Sequence, residues 1–265
     1  MNHKNLECYD NYEIFSNLLS EQQYRDSKLK GCSKQIEFII KLVNQSKIKV
    51  VELGSGNSKI LYGLSMASVI SEGYGLEISE SRHYFAEKWK KDLQIKNVEN
   101  IKSNFLELKK FRLDNVDLFL VLDLAFQFCE PIETNSEVKL LSQIYNSLTK
   151  NGKLILELDG CKKNIESIKF GGKTWEEFNI SDPWQYSLWD CNLDIEKSFL
   201  TLNKTFINRN SNLKDFSSVI LKLYKKEEIK NLLLSVGFKK IDFYQNWGGH
   251  SMENDDSEFI IVAEK

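Results

Sequence analysis

Two acidic residues frame a glycine-rich turn in the first third of the chain. Glu52 precedes Gly54-Ser55-Gly56, and Glu77 ends the next apolar segment. Glycines in such a turn let the backbone approach a ligand closely and leave N–H groups free at the start of a helix. A carboxylate at the end of a strand can accept hydrogen bonds from both hydroxyls of a ribose. We therefore expect a nucleoside-type ligand here; the alternative is that both acids are only solvated strand ends.

Glu52 lies inside an otherwise apolar strand pattern, Lys49-Val50-Val51-Glu52-Leu53. Burying a carboxylate is costly unless it gains a cationic or donor partner. An NAD-binding turn normally has apolar residues there, and Lys59 stands where G-x-G-x-x-G would need its third glycine. The acid favours a ligand with a cationic group, such as the amino end of a methionine moiety. An NAD-dependent oxidoreductase remains an alternative.

Strand and helix patterns alternate around these acids. Apolar strands are predicted at residues 49–53, 73–78, 98–102, 116–122 and 153–158, with helices at about 58–68, up to 89, and 138–148. Gly152 is expected to end the last of these helices with a positive φ. A further helix is predicted at 33–44, with Ser33 as its cap. Such alternation predicts a doubly wound α/β fold with a mostly parallel sheet.

The alternation stops after residue 160. Segments 199–208 and 216–224 read as strands of a small, β-rich, mostly antiparallel insert, and 225–236 reads as a helix ending at Gly237. Segments 239–244 and 258–263 are predicted to close the core sheet, giving seven strands with an antiparallel closing strand. We predict four regions: an N-terminal helical part (1–44), a core that carries the glycine turn (45–160), a β-rich insert (161–223) and a C-terminal part of the core (224–265).

The motifs together resemble the class I, Rossmann-like S-adenosylmethionine-dependent methyltransferases, across residues 45–160 and the C-terminal segment. Glu52 through Gly56 looks like the family's first motif, although Ser58 stands where a third glycine is common. The insert is similar to the substrate lobe of sugar and natural-product methyltransferases. The resemblance implies transfer of the methyl group of S-adenosylmethionine to an O or N atom of a small-molecule acceptor.

The same resemblance implies the remaining cofactor-binding residues. Glu77, followed by Ile78, would bind the ribose. Asn104 and Phe105 would flank the adenine, with Asn104 where the family often has Asp. Asp123 begins the motif that lies beneath the reactive sulfonium. Tyr12 would belong to an N-terminal lid over the cofactor, or else only pack.

His250 and Asp123 are the candidate catalytic residues. A hydroxyl acceptor would benefit from a general base, and His250 lies in a loop expected at the ligand end of the sheet. The alternative for His250 is an ordinary solvated histidine. Asp123 would orient the ammonium group of the cofactor or touch the acceptor, and we favour the first; a helix cap is the alternative. A cluster of aromatic residues in the insert forms either an acceptor pocket or core; it comprises Trp175, Trp184, Tyr186 and Trp189.

Composition limits the classes of binding partner and the cellular location that we expect. The 265-residue chain has a net charge of −2 and a pI near 6.0, which gives no overall attraction to nucleic acid or an anionic membrane. Five cysteines without C-x-x-C spacing indicate reduced thiols and no metal site. We expect a cytoplasmic enzyme that takes a small-molecule acceptor, and the sequence leaves a homodimer open.

Two other functions stay open. A protein (lysine) methyltransferase would need an open groove for its peptide, against which the sizeable insert argues. A catalytically silent protein that binds S-adenosylmethionine would keep the fold and lack turnover.

Overall fold

The computed structural model describes residues 18–160, 172–210, 214–252 and 259–265. The strands that build its larger sheet are β1 (Ile48–Leu53), β2 (Ile70–Glu77), β3 (Val98–Lys102), β4 (Val116–Val121), β5 (Leu148–Leu158), β10 (Lys240–Tyr244) and β11 (Phe259–Glu264). These seven strands lie in the order β10-β11-β5-β4-β1-β2-β3. Strands β1 to β5 are parallel, while β11 is antiparallel to both of its neighbours.

Helices cover both faces of this sheet, because successive residues of each buried strand point to opposite sides. The helices are α1 (Leu18–Gly31), α2 (Ser33–Val43), α3 (Lys59–Met66), α4 (Glu80–Asp92), α5 (Cys129–Ile132), α6 (Ser136–Ser147) and α7 (Lys226–Val236). Two 3-10 helices, Phe105–Phe111 and Ala125–Phe128, follow β3 and β4.

Each face has its own apolar core. In β1, Val50 packs into a core shared with α1 to α4, whereas Val51 packs into a core shared with α6 and α7. The prediction of a doubly wound, mostly parallel α/β sheet with seven strands is confirmed.

A second, antiparallel sheet of four strands follows β5. It consists of β6 (Lys173–Glu177), β7 (Trp184–Asp194), β8 (Phe199–Asn208) and β9 (Lys214–Lys222), in that order. The prediction of a β-rich antiparallel insert is confirmed, and β8 has the predicted bounds. Leu124 and Phe128, next to β4, pack against Leu200 and Leu202 of this sheet, so the insert rests on the carboxyl end of the core.

Two local predictions are wrong. Gly152 does not end a helix: α6 already stops at Ser147, β5 begins at Leu148, and Asn151 takes the positive φ of 70°. Ser33 is the first residue of α2, and the cap position is occupied by Cys32, which makes no side-chain capping bond. In both cases tertiary packing of the neighbouring strand or helix outweighs the local stop or cap signal.

None of the helices in the described part of the chain is long and apolar enough to cross a membrane.

Candidate active site

A cavity of about 530 Å³ opens where the carboxyl ends of β1, β2 and β4 face the second sheet. Ligands of open α/β sheets bind at this edge. From the core it is lined by Gly54, Gly56, Glu77, Ile78, Ser79, Arg82, Asn104, Phe105, Asp123, Leu124, Ala125, Phe128 and Ile132. From the insert it is lined by Glu176, Phe178, Trp189, Leu202, Lys204, Phe206, Ser217, Val219 and Leu221. One wall is thus polar and glycine-rich, and the opposite wall is mainly apolar.

The glycine turn requires glycine for two different reasons. Gly54 has φ +71°, and a Cβ there would lie only 2.8 Å from the Ala125 Cβ. Gly56 has φ +55°, and a Cβ there would meet nothing within 4 Å, so its backbone borders open space. Gly54 therefore permits close packing of the turn after β4, and Gly56 leaves room for a ligand against the backbone.

Ser58 explains how the chain manages without a third glycine in this motif. It adopts the left-handed conformation, with φ +60°, as the residue before α3. Its side chain is fully buried, and its hydroxyl donates to Asn100 Oδ1 at 2.7 Å. This hydrogen bond to β3 stabilises a backbone conformation that residues other than glycine seldom adopt.

Glu77 is held in place by the backbone of the turns that it joins. Its Oε2 accepts the N–H of Gly56 and its Oε1 accepts the N–H of Ser79, both at 2.7 Å. Each carboxylate oxygen has a second lone pair. Two acceptor positions therefore remain for a pair of ligand hydroxyls.

Asn104 and Phe105 form another part of the core wall. Asn104 Oδ1 accepts the N–H of Leu106 at 3.0 Å and so caps the 3-10 helix that Phe105 begins. The cap fixes the side chain and leaves the Asn104 amide N–H₂ group with no hydrogen-bond partner that the described residues supply. Phe105 is buried at 9 % exposure, and its ring lies 3.9 Å from a Cβ placed at Gly54.

Asp123, Lys59 and Glu52 form a charged cluster beside the glycine turn. Lys59 Nζ lies 3.0 Å from Asp123 Oδ2. Burial opposes ionisation of Asp123, but its side chain is 63 % exposed, so the Lys59 ammonium decides the direction and holds the pKa of Asp123 below its usual value. Asp123 has φ +48° and Leu124 has φ +65°, so both residues of this turn adopt the left-handed conformation.

Glu52 is the buried member of the cluster. Only 4 % of it is exposed, and its Oε2 has no hydrogen-bond partner among the described residues. Burial, followed by the nearby Asp123 carboxylate, raises the pKa of Glu52 well above its ordinary value. An acid left in this state is suited to a cationic ligand group.

Seven of the predicted cofactor-binding residues line the cavity: Gly54, Gly56, Glu77, Ile78, Asn104, Phe105 and Asp123. Glu52 and Ser55 do not line it. The Ser55 hydroxyl is buried without a hydrogen-bond partner that the described residues supply and lies 2.7 Å from a Cβ placed at Gly75. Tyr12 lies outside the described residues.

His250 lies away from this cavity. Because β10 runs parallel to β5, the loop after it does emerge at the expected edge of the sheet. There, His250 lines a separate, open groove of about 830 Å³ beside α2, together with Phe38 and Trp247. Its Nδ1 lies 3.0 Å from Asn246 Oδ1. The structure therefore does not bring His250 together with Asp123 and Glu77, and its role as a base stays a prediction.

The aromatic cluster of the insert divides between three environments. Trp189 lines the cavity, Trp184 is fully buried, and Trp175 is 63 % exposed on the other face of the sheet. Lys204 Nζ sits 3.9 Å above the Trp189 ring, and the Trp189 indole N–H donates to Ser187. This geometry fixes the Trp189 ring as a flat surface in the insert wall of the cavity.

Sequence reasoning missed Arg82 and Lys204, which both line the cavity. Arg82 follows the ribose-type acid by only a few positions and lines the cavity, so its place at the start of α4 is the signal that was available. Lys204 lies in an alternating strand, and alternation alone does not say which face meets the cavity. Among the described residues, no group of three or more His, Cys, Asp or Glu side chains is arranged to hold a metal ion.

Comparison with solved structures shows the same fold in methyltransferases. An S-adenosylmethionine-dependent methyltransferase from Clostridium acetobutylicum aligns with a TM-score of 0.72 and 14 % identity over 97 % of this chain and 99 % of that one. CcbJ from Streptomyces caelestis aligns with a TM-score of 0.70 and 14 % identity over 87 % and 93 %.

CalS10, an amino pentose methyltransferase from Micromonospora echinaspora whose structure contains bound S-adenosylmethionine, aligns with a TM-score of 0.58 and 12 % identity over 91 % of each chain. At these identities the likeness concerns the fold alone. A search of curated proteins gave no match.

A scan against protein families matches residues 44–189 to a methyltransferase domain. The match spans more than half of the 265 residues and includes the glycine turn, Glu77, Asp123 and the first half of the insert. The chain therefore belongs to the methyltransferase-domain family and is a transferase.

Proposed function

We propose that this enzyme transfers the methyl group of S-adenosylmethionine to an O or N atom of a small-molecule acceptor. The observation that carries the proposal is the two-sided cavity, in which Glu77 and the glycine turn face an apolar wall made by the insert. The bound cofactor would supply a methyl group on a cationic sulfur, with a neutral thioether as its leaving group.

The residues present fit this cofactor. Glu77 retains two acceptor positions for ribose hydroxyls, and Gly56 leaves open space beside its backbone. Asn104 and Phe105 offer an amide and a ring beside them for the adenine. Glu52 lies beside the glycine turn without lining the cavity, and its unpartnered oxygen would supply negative charge toward the ammonium group of the methionine end once that cation is bound.

The work of the chain in this reaction would be positioning. Holding an acceptor in line with the methyl group can contribute an effective molarity of up to ~10⁵–10⁸ M in favourable cases. Asp123, in its left-handed turn, would orient the ammonium group while it remains paired with Lys59. Trp189, Phe206 and Leu202 would exclude water from the acceptor and fix its apolar body.

Two features support a small-molecule acceptor over a peptide. The second sheet, which is the described part of the insert predicted at 161–223, covers the carboxyl end of the core and supplies an apolar wall, as a closed pocket requires. Two chains of similar fold, CalS10 and the sugar N-methyltransferase KedS8, which aligns with a TM-score of 0.61, act on sugars. The core region of 45–160 with 224–265 would bind the cofactor, and residues 1–44 would cover it.

The proposal is tested by incubating the purified chain with S-adenosylmethionine labelled in its methyl group, in the presence of a cell extract split at 3 kDa. We expect label in compounds of the small fraction and none in protein bands. Label confined to protein bands would support a protein methyltransferase instead. Cofactor binding without any transfer would support a silent binding protein.

The oligomeric state and the location need separate tests. For a homodimer, light scattering after gel filtration would give a mass twice the 30.9 kDa of the chain. A cytoplasmic location would follow from fractionation of cells that express the protein.

A further inference from the structure

Glu157, near the end of β5, links two loops that are distant in sequence. Its Oε2 accepts the backbone N–H of Asp123 at 2.9 Å, and its Oε1 accepts the indole N–H of Trp247 at 2.8 Å. One carboxylate thus joins the turn after β4 to the loop after β10. We call the two hydrogen bonds the Glu157 bridge.

Keeping the Glu157 carboxyl group ionised at this position costs free energy. Burial, followed by the nearby Asp123 carboxylate, raises the pKa of Glu157. An apolar residue at the end of a core strand would avoid this cost. It would also leave the Asp123 N–H and the Trp247 indole N–H without the acceptor that they share. The two groups that it holds therefore give this acid a physical reason for its position.

The turn that Glu157 holds is a strained one. Asp123 and Leu124 both have positive φ, at 48° and 65°, a conformation in which the Cβ is crowded by the backbone. Two successive residues of this kind persist only where surrounding contacts determine them. Glu157 fixes the backbone of Asp123, and Lys59 fixes its side chain at 3.0 Å.

This turn lies between the two halves of the cavity. Asp123 and Leu124 line the cavity, and Ala125 approaches the glycine turn so closely that a Cβ at Gly54 would be 2.8 Å from its own Cβ. Leu124 also packs against Leu202 of the insert. A displacement of the turn would therefore disturb the glycine turn and the insert wall together.

The other end of the bridge lies outside the cavity. Trp247 packs edge-on against Phe38 of α2, with ring centroids 5.5 Å apart, and lines the same groove as His250. The loop that carries His250 thus reaches the active site through Trp247 and Glu157.

We infer that Glu157 is a positioning residue for methyl transfer, which holds the Asp123–Leu124 turn in the geometry that the cofactor requires and couples that turn to Trp247. The inference rests on the proposed function. A positioning role differs from a purely structural one in a measurable respect. Cofactor binding at the turn should change the environment of Trp247, which does not line the cavity.

The test uses the full chain and S-adenosylhomocysteine as the probe. In wild type, titration should shift the indole ¹H–¹⁵N resonance of Trp247, which W247F identifies among the signals of the five tryptophans. In E157Q a single amide oxygen replaces two carboxylate oxygens, so one donor loses its acceptor. We expect the dissociation constant for the probe to rise about tenfold, in line with loss of a hydrogen bond to a charged group, and the Trp247 shift to disappear.

E264Q is the matched control. Glu264 also belongs to a core strand and is paired, with Lys153 at 3.2 Å, but it does not approach the cavity. It should bind the probe as wild type does and keep the Trp247 shift. The remaining indole signals and circular dichroism show whether E157Q is folded. If E157Q is not folded, W247F serves as the second variant. Its affinity for the probe should fall about threefold, as expected for loss of one hydrogen bond, although residue 247 does not line the cavity.

Wild-type affinity in folded E157Q, with the Trp247 shift preserved, would overturn the inference and leave the proposed function standing. Wild-type affinity in W247F would overturn it equally where E157Q does not fold. Failure of the wild-type chain to bind S-adenosylhomocysteine would refute the proposed function and, with it, this inference.

Discussion

Lys59 and Asp123 form an ion pair, with 3.0 Å between Nζ and Oδ2, that ties the helix after the glycine turn to the turn after β4. Lys59 takes the position where a dinucleotide-binding turn would have its third glycine. Burial alone would lower the pKa of Lys59, but Asp123 and Glu52 together raise it. The lysine is thus the cation that compensates two acids beside the cavity.

The first prediction concerns this cation. Lys59→Met removes the ammonium group that compensates Glu52 and Asp123. The chain without ligand should therefore unfold at a lower temperature at pH 8, by roughly 2–4 °C for each kcal/mol of unfolding free energy that is lost. Thermal unfolding followed by circular dichroism measures the change. The difference should be smaller at pH 5, because the raised pKa of Glu52 favours its neutral form as the pH falls. Lys110→Met, which removes an exposed ion pair with Glu107, should leave the midpoint unchanged; an equal drop in both variants would contradict the argument.

The second prediction concerns Glu52. Its pKa is raised in the folded chain, while that of an unfolded glutamate is about 4.3. The folded state therefore holds the proton more tightly, and the stability that the protonated acid contributes is present below the unfolded pKa and lost as the pH rises through the folded one. Glu52→Gln should unfold at a higher temperature than wild type at pH 8, with no difference near pH 4.

The same variant should bind S-adenosylmethionine more weakly, because the amide carries no charge for the ammonium group. Calorimetry at pH 8 should show a dissociation constant raised at least about tenfold. A variant that is more stable and binds as well as wild type would remove Glu52 from the site.

A third prediction concerns Glu77. Glu77→Gln keeps the shape of the side chain but has only one acceptor oxygen for Gly56, Ser79 and the ribose. We expect a dissociation constant for S-adenosylhomocysteine at least about tenfold higher. Glu72→Gln, at an exposed position of the same strand, is the control and should bind normally. Equal affinities in the two variants would mean that Glu77 only shapes the turn.

A fourth prediction separates the two faces of the insert. Trp189→Leu removes the flat surface in the insert wall, so the KM for the acceptor should rise about tenfold or more while cofactor affinity stays within twofold, if the ring is worth about 1.4 kcal/mol or more. Trp175→Leu removes a ring that is 63 % exposed on the opposite face and should change neither quantity. Kinetics with the acceptor found by the labelling experiment provide the measurement. Loss of cofactor binding in Trp189→Leu would assign this wall to the cofactor.

A fifth prediction concerns His250. A general base contributes roughly 10²–10⁴-fold to a rate, so His250→Ala would lose at least that much if the histidine took a proton from the acceptor. Because His250 lies in the groove beside α2 and outside the cavity, we expect kcat within about twofold of wild type. A hundredfold loss of kcat that added imidazole reverses would show that His250 acts as the general base.

The sequence by itself was sufficient for the fold class and for much of the cofactor wall. Buried strands of β-branched and aliphatic residues alternate with amphipathic helices, and that order permits few arrangements besides a parallel sheet with two covered faces. The carboxyl ends of parallel strands meet at one edge, so Gly54, Glu77, Asn104 and Asp123 converge whatever the details of packing. Their positions at strand ends were visible in the chain.

Only the tertiary structure decided which side chains meet across long separations. Lys59 lies 64 residues from Asp123, and Glu157 lies 90 residues from Trp247; no local pattern pairs such residues, because the pairing depends on how strands and loops are placed in space. Trp175 and Trp189 lie on neighbouring strands, and the register that pairs Trp175 with Leu188 places the two rings on opposite faces. The sequence shows neither this register nor which face turns toward the core. That choice arises from the packing of Leu124 and Phe128 against Leu200 and Leu202, which brings Trp189 into the cavity and leaves Trp175 outside.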